Sequence, residues 1–154
     1  MDLHVFAERM VELIPQLMRG MSRHEHNSFT RGEITLPMLS AMECLAHQGA
    51  CPMHSIAQLL DISRPAATGL INRLISQQAA RREHDAKDRR IVRVTLTPKG
   101  RKMLTDIWRQ KKRTLIDVFG QIAPAQRTQY LQTLEQVVSI LAARSKKQKA
   151  TRQK

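Results

Sequence analysis

Apolar residues recur at spacings of three and four from the start of the chain, which predicts an amphipathic helix. Its apolar face consists of Leu3, Phe6, Met10, Leu13 and Leu17. So narrow and regular a stripe is typical of a helix that packs along a partner helix rather than over a globular core. Pro15 lies within the pattern and predicts a kink or a break there. The polar stretch 20–33 predicts the end of this helix and a loop.

Three short helices are predicted in the next part of the chain. Thr35 is a suitable N-cap for the first helix, which ends near Gly49, and Pro52 suits the start of the second. Residues 61–63 form a turn, in which Ser63 is a suitable N-cap for the third helix. The core face of the third helix is predicted to hold Ala67, Leu70, Ile71, Leu74 and Ile75. A short helix, a tight turn and an amphipathic helix predict a helix-turn-helix unit.

The opposite face of the third helix is small and polar. Its members are Pro65, Gly69, Asn72 and Ser76, with Thr68 and Arg73 at the edges. Because this face has no bulky apolar side chain, its backbone is able to approach the groove of a nucleic acid closely. The alternative interpretation is an ordinary solvated helix with a basic edge.

A hairpin and two long helices are predicted after this unit. Residues 81–84 lead into a polar turn at 85–89, and residues 91–96 alternate as in a half-buried strand. Thr97 and Pro98 then predict the start of a long helix, which Gly120 and Pro124 end. The final helix again has apolar residues at heptad spacing, namely Leu131, Leu134, Val138 and Leu141.

Charge is distributed unevenly along the chain. The net charge is +13, and residues 61–113 contain 15 basic and 5 acidic side chains, whereas residues 1–60 contain 4 and 6. A positive field in the middle of the chain suits a surface that binds phosphates, because neutralising phosphates releases their condensed counterions. The basic segment 146–154 is expected to be a disordered tail.

Several functional classes are disfavoured by the composition. No apolar run is long enough to cross a membrane and the first segment contains charges, so we expect a cytoplasmic protein with no membrane partner. No Gly-rich phosphate loop, nucleophile–base motif or carboxylate pair predicts an enzyme, and we expect no cofactor. No His or Cys follows His84, which disfavours a zinc site. Cys44 and Cys51 fit small buried hydrophobes or redox-sensing thiols.

Two segments together resemble the MarR family of transcriptional regulators. The sequence ISRPAATGLINRL at 62–74 resembles the family's recognition helix. The sequences DAKDRR at 85–90 and VRVTLTPKG at 92–100 resemble its wing and the start of its long dimer helix. The resemblance implies a mainly α winged helix-turn-helix fold with a small antiparallel β-hairpin wing. It also implies an intertwined α-helical homodimer that binds palindromic double-stranded DNA.

The resemblance further assigns roles to single residues. Arg89 at the wing tip enters the minor groove, with Asp88 placed to hold Arg89 or Arg73 by a salt bridge. Ser63 and Arg73 contact phosphates, and the remaining outer residues of the recognition helix face the major groove. Arg is able to pair with guanine and Asn with adenine, and a narrow minor groove attracts Arg. The expected DNA-binding set is Ser63, Arg64, Pro65, Ala66, Thr68, Gly69, Asn72, Arg73, Lys87, Arg89 and Arg90.

One departure from the family pattern follows the recognition helix. Gln78, Ala79 and Ala80 stand where the family usually has a Gly and two large apolar residues. A residue other than Gly at such a helix end is expected to cost roughly a few tenths to 1 kcal/mol. The departure therefore concerns the end of the helix and the packing at the base of the wing.

These observations predict four regions and one function. The regions are an N-terminal dimerisation helix and loop (1–34), a winged helix-turn-helix (35–97), the long and C-terminal dimer helices (98–145) and the basic tail (146–154). We expect a sequence-specific regulator that acts as a repressor and that a small-molecule ligand releases from its operator. The dimer interface is expected to include Leu3, Phe6, Met10, Leu13, Leu131, Leu134, Val138 and Leu141.

The sequence leaves open which residues bind an effector and whether the function is a different one. Phe29, Met42 and Trp108 are candidates for lining an effector cleft, although Met at helical spacing also suits a plain core. A winged helix that binds another protein instead of DNA is one alternative. A regulator switched by oxidation of Cys44 or Cys51 is another.

Overall fold

The computed structural model describes residues 1–23, 25–85 and 88–152. It contains six helices and three strands in these ranges, in the order helix-helix-strand-helix-helix-strand-strand-helix-helix. The elements are α1 (Leu3–Arg23), α2 (Leu36–Gln48), β1 (Cys51–Pro52), α3 (Met53–Leu60), α4 (Arg64–Ser76), β2 (Ala80–His84), β3 (Val92–Leu96), α5 (Pro98–Phe119) and α6 (Pro124–Arg152). No helix in these ranges is long and apolar enough to cross a membrane.

The chain divides into two compact units, Met1–Thr114 and Leu115–Lys154. The first unit contains a hydrophobic core to which α2, α3, α4, the sheet and α5 all contribute. Fully buried members of this core include Met42, Leu45, Ile56, Ile71, Leu74, Val94, Leu96 and Ile107. In the second unit the rings of Phe119 and Tyr130 are in contact, with centroids 5.3 Å apart.

The predicted core face of the third helix is confirmed in α4. Ala67, Ile71 and Leu74 are buried, and Leu70 and Ile75 pack against the same core while remaining partly exposed. The side chain of Ser63 caps this helix by accepting a hydrogen bond from the backbone N–H of Ala66 at 3.3 Å. This cap satisfies one of the donors that a helix start leaves unpaired.

The sheet is antiparallel, with the order β1-β3-β2. β2 and β3 form the predicted hairpin, in register from Ala80 opposite Leu96 to His84 opposite Val92. The pairing of β1 with β3, which places Cys51 opposite Val94, was not predicted. A strand of two residues is too short to show the alternation by which strands are recognised in a sequence.

The departure at residues 78–80 has a specific structural solution. Gln78 adopts the left-handed conformation (φ 59°), and its N–H bonds to the carbonyl of Ile75 at 2.8 Å. The hydroxyl of Thr97 donates to the carbonyl of Gln78 at 2.6 Å, and Lys99 Nζ donates to Gln78 Oε1 at 3.0 Å. The helix end is therefore held by the start of α5 although glycine is absent.

Small residues allow α5 to begin close to this helix end. A Cβ added to Gly100 would lie 1.9 Å from the carbonyl oxygen of Ala79, which is far inside contact distance. Ala79 and Ala80 are both buried, so the positions expected to hold large apolar residues are filled by close backbone packing instead.

The structure bears on two sequence predictions about the terminal segments. α1 runs through Pro15, so the break that was one predicted alternative is absent, while the kink that was the other stays a prediction. Residues 146–152, expected to be disordered, continue α6 to Arg152. Lys, Gln, Ala and Arg are good helix formers, and no Gly or Pro interrupts them in this segment.

Candidate nucleic-acid interface

The outer face of α4 is exposed over its whole length. Of the predicted DNA-binding residues, Ser63, Arg64, Pro65, Ala66, Thr68, Gly69, Asn72 and Arg73 are all exposed. No acidic residue occurs in the helix. The opposite face of α4 is buried in the core, which holds the helix in place. Small, polar and basic side chains on the exposed face allow the helix to approach DNA closely without repelling phosphates.

A tight turn fixes the orientation of α4 relative to α3. Asp61 adopts the left-handed conformation (φ 55°, ψ 43°) at the end of α3. The next N–H, that of Ile62, bonds back to the carbonyl of Ala57 at 3.1 Å. Ser63 then begins α4, so only two residues separate the end of one helix from the cap of the next. This is the helix-turn-helix connection that the sequence predicted.

A hydrogen bond connects α4 to the hairpin on its exposed side. Arg82 of β2 donates from Nη2 to Oδ1 of Asn72 at 2.8 Å. Arg82 was not among the predicted site residues. Arg81 and Arg82 are adjacent, and a strand points successive side chains to opposite faces. Without the register, the sequence did not indicate which of the two lies beside α4.

The wing turn is organised by Asp85 rather than by Asp88. Asp85 forms an ion pair with Arg93 and also accepts a hydrogen bond from the backbone N–H of Asp88 at 3.1 Å. The carboxylate of Asp88 accepts a bond from the backbone N–H of Arg90 at 2.9 Å and forms no ion pair within the described residues. The expected salt bridge of Asp88 to Arg89 or Arg73 is therefore absent from this structure. The short side chain of Asp88 bonds instead to the backbone of its own turn, as aspartates in turns often do.

Arg93 also ties the hairpin to the body of the first unit. Besides its pairing with Asp85, it donates from Nη1 to the carbonyl of Ala50 at 3.2 Å. At the other side of the turn, His84 Nδ1 contacts the carbonyl oxygen of Arg89 at 2.8 Å. Arg89 and Arg90 are exposed at the tip. Lys87, predicted to bind DNA, lies outside the described residues.

A groove of about 560 Å³ separates the recognition helix from the wing. Arg64 and Thr68 of α4 line one side, and Arg90 with the start of β3 lines the other. Met53 and His54, at the start of α3, lie on its wall and were not predicted. The complete lining is Pro52, Met53, His54, Arg64, Thr68, Arg90, Ile91 and Val92. Two arginines facing one concave surface are suited to a phosphate backbone.

Comparisons with known proteins agree with this geometry. Residues 34–92, which span the helix-turn-helix and most of the hairpin, match the family model described as MarR family. This segment of the chain is similar to the MarR family. The match supports the interpretation of α3, α4 and the hairpin as the DNA-binding unit of a transcriptional regulator.

One sequence relative and two solved structures are similar to this chain over most of their length. An HTH-type transcriptional regulator of Bacillus subtilis, YsmB, is 23% identical over 112 residues, which cover 73% of this chain and 75% of YsmB. A MarR-like regulator from Thermotoga maritima has a TM-score of 0.72 at 24% identity and covers 92% of this chain and 98% of its own. BpsR of Bordetella bronchiseptica has a TM-score of 0.60 at 25% identity, covering 86% and 95%. The BpsR structure concerns the mechanism by which 6-hydroxynicotinic acid regulates DNA binding by that protein.

The three candidate effector residues have different environments. Met42 is fully buried in the core, whereas Trp108 on α5 is 52% exposed. Phe29 is partly buried, and Lys111 Nζ lies 4.9 Å from the centre of its ring. These positions do not test the prediction that the three line one cleft.

The loop that contains Phe29 is bonded to α5. The Gln110 amide donates to the carbonyl of His26 and accepts from the N–H of the same residue, at 3.1 and 2.9 Å. Beside it, Glu25 is buried with one carboxylate oxygen 3.9 Å from Lys111 Nζ. The other oxygen of Glu25 has no hydrogen-bond partner among the described residues.

The two cysteines are free thiols. Cys51 is buried and Cys44 is half-buried, which suits the interpretation as small core residues. Burial raises the pKa of the Cys44 thiol, and the neighbouring Cys51 raises that pKa further. A raised pKa lowers the fraction of reactive thiolate at neutral pH, so this environment does not favour oxidation. The ranges described contain no cluster of His, Cys, Asp and Glu suited to a metal ion.

The predicted dimerisation residues remain exposed in the single chain. On α1 these are Leu3, Phe6, Met10 and Leu13, and on α6 they are Leu131, Leu134, Val138 and Leu141. Apolar exposure of this extent on two helices is unusual for a protein surface that contacts only water.

Proposed function

We propose that this chain is a MarR-type repressor that binds a palindromic operator as a homodimer and is released by a small molecule. The observation that carries the proposal is the exposed, acid-free face of α4 beside a groove with Arg64 and Arg90 on its two sides. Such a regulator acts on chromosomal DNA, so we place it in the cytoplasm.

The DNA contacts divide into two kinds. Arg64, Thr68 and Asn72 reach base edges in the major groove, and Pro65, Ala66 and Gly69 let the helix backbone lie close to the groove floor. Ser63 and Arg73 contact phosphates, which fix the register of the protein on the duplex. Lys87, Arg89 and Arg90 of the wing supply positive charge, with Arg89 entering the minor groove.

Homodimerisation is supported by the apolar stripes on α1 and α6. Covering them with a second copy removes a large apolar area from water, and a two-fold dimer is the commonest way to do so. In this arrangement residues 1–34 and 98–145 form the dimerisation regions, and residues 35–97 form the DNA-binding region. Two-fold symmetry requires an operator with two inverted half-sites, centred about one helical turn apart.

Control by a ligand is supported by the likeness to BpsR. A ligand is able to release DNA only if it binds one arrangement of the dimer better than the other. We place its cleft near Phe29, Met42 and Trp108. The loop at Phe29 is joined to α5 through Gln110, which gives ligand binding there a direct route to the long helix.

The test is quantitative binding to a duplex selected from a random library, compared with unselected DNA, across a salt series. We expect a specificity ratio of about a thousand or more, with two protomers on each duplex. A ratio near one with a steep salt dependence contradicts the proposal. That result means that the basic region attracts DNA only through charge, and it favours a winged helix that binds another protein.

A further inference from the structure

The hydrogen bond between Arg82 and Asn72 restricts how Asn72 is able to contact a base. A guanidinium group has donors and no acceptor, so it bonds only to the oxygen end of the amide. In the structure this bond joins Arg82 Nη2 to Asn72 Oδ1 at 2.8 Å. Within the described ranges, the Nδ2 group of Asn72 has no hydrogen-bond partner. Oδ1 keeps one lone pair, whereas the donor end of the amide is wholly unused.

This restriction changes the expected base preference. An asparagine that pairs with adenine uses both ends of its amide, because it accepts from N6 and donates to N7. Guanine presents two acceptors, O6 and N7, in the same part of the major groove. An amide whose oxygen is already bonded to arginine suits the acceptors of guanine better than the mixed pattern of adenine.

Both residues are accessible for this role. Asn72 and Arg82 are exposed, and no acidic side chain on α4 competes for the arginine. The hairpin register fixes Arg82 opposite the buried Val94, so the strand that carries the guanidinium is anchored in the core. Its position beside α4 is therefore set by the backbone and does not depend only on the hydrogen bond.

We infer that Arg82 is a positioning residue for specificity, which orients the Asn72 amide so that α4 selects guanine over adenine at one position of each half-site. The inference rests on the proposed function, because it requires Asn72 to face a base. It differs from the sequence-based expectation, in which Asn72 pairs with adenine.

The experiment uses the full chain and the operator selected by the unaltered protein. Binding constants are measured for all four base pairs at each half-site position, for the unaltered protein and four variants. The variants are Arg82→Met, Arg81→Met, Asn72→Ala and the double variant Asn72→Ala with Arg82→Met. Arg81→Met is the matched control, because this substitution removes the same charge from the neighbouring position of the strand. Arg81 pairs with Glu83 at 2.6 Å and lies outside the proposed contacts. Thermal unfolding of each variant checks that the fold is retained.

We expect the unaltered protein to prefer guanine at one half-site position. Arg82→Met should reduce the guanine-over-adenine ratio there by about fivefold, which is the lower end of the range by which a well-made base contact discriminates. The other positions should keep their preferences. Arg81→Met should leave the whole profile unchanged, and Arg82→Met should have no further effect on it in the Asn72→Ala background.

Two results overturn the inference while leaving the proposed function intact. In the first, Arg82→Met weakens binding to every sequence by the same factor, which makes Arg82 a phosphate contact only. In the second, its effect on base preference persists without Asn72. A third result, in which the unaltered protein selects no duplex over random DNA, overturns the proposed function and this inference with it.

Discussion

The winged helix-turn-helix region buries its apolar side chains, whereas the terminal helices leave theirs exposed. In residues 35–97, helical and strand patterns converge on one core, so Ile71 and Leu74 of α4 are completely shielded from water. On α6, Val138 and Leu141 are 63% and 57% exposed although their spacing is as regular. Regular apolar spacing therefore indicates a buried face in both cases, but only the first face is buried by its own chain. The second is exposed in the single chain, and we propose that another copy covers it.

The comparison is tested most strongly by charges placed on the exposed stripe. Leu134→Asp with Leu141→Asp should abolish the dimer, because in a two-fold assembly four apolar side chains lose their burial. At ~1.5 kcal/mol or more for each side chain, the loss is about 6 kcal/mol of association free energy. Sedimentation analysis measures it, and circular dichroism should show that the helices persist. A double variant that sediments like the unaltered protein would show that the stripe on α6 is not the interface.

A cavity in the core of the DNA-binding region should affect folding directly. Leu74→Ala is expected to lower the free energy of unfolding by about 2–5 kcal/mol, since it removes fully buried methyl and methylene groups. Denaturant titration gives the value. Leu59→Ala is the matched control, because Leu59 lies in the same region but is half exposed, and it should cost much less. Equal losses in the two variants would contradict the assignment of the core.

The exposed face of α4 should control DNA binding with little effect on stability. Asn72→Ala is expected to weaken binding to the cognate duplex by about 1–3 kcal/mol and to relax selectivity at one base pair. Arg73→Ala should weaken binding to all sequences alike and reduce the salt dependence by about one charge. Titrations at several salt concentrations separate the two effects. The division into base and phosphate contacts is wrong if Asn72→Ala affects cognate and random DNA equally.

The smallest expected effect lies at the end of α4. Gln78→Gly should raise the free energy of unfolding by roughly a few tenths of a kcal/mol, because glycine adopts the left-handed conformation without strain. Gln77→Gly is the matched control. Its φ of −78° offers no strain to relieve, so added chain entropy should lower stability by about 0.5–1 kcal/mol. Effects of the same sign in both variants would contradict this account.

Sequence patterns predicted most of the fold for identifiable reasons. Helical spacing located α2 to α6, and the alternation at Val92–Leu96 located the wing, because each pattern repeats several times. The end of α4 was left open by the sequence, because Gln78 stands in place of glycine. β1 was missed because two residues show no period. The extension of α6 to Arg152 was not predicted, because the composition of 146–152 suits both a solvated tail and a helix.

The candidate site was predicted less completely, because its details depend on contacts between elements. The outer face of α4 followed from one helix alone. Arg82 was missed, since its role depends on the register of β2 beside α4. The wing salt bridge was assigned to Asp88, but Asp85 is the residue that pairs with Arg93. Two aspartates three positions apart in one turn are distinguished by backbone geometry, which the sequence does not specify.

The close approach of Gly100 to Ala79 has a consequence for protein engineering. Any side chain at position 100 would collide with the backbone that follows the recognition helix, and Thr97 and Lys99 bond to Gln78 at the same place. The two segments 78–80 and 97–100 therefore pack as one unit, and a change in one segment requires a compatible change in the other. A chimaera that imports a recognition helix from another regulator needs to exchange both segments together. Grafting the helix alone would join two surfaces that were not shaped for each other.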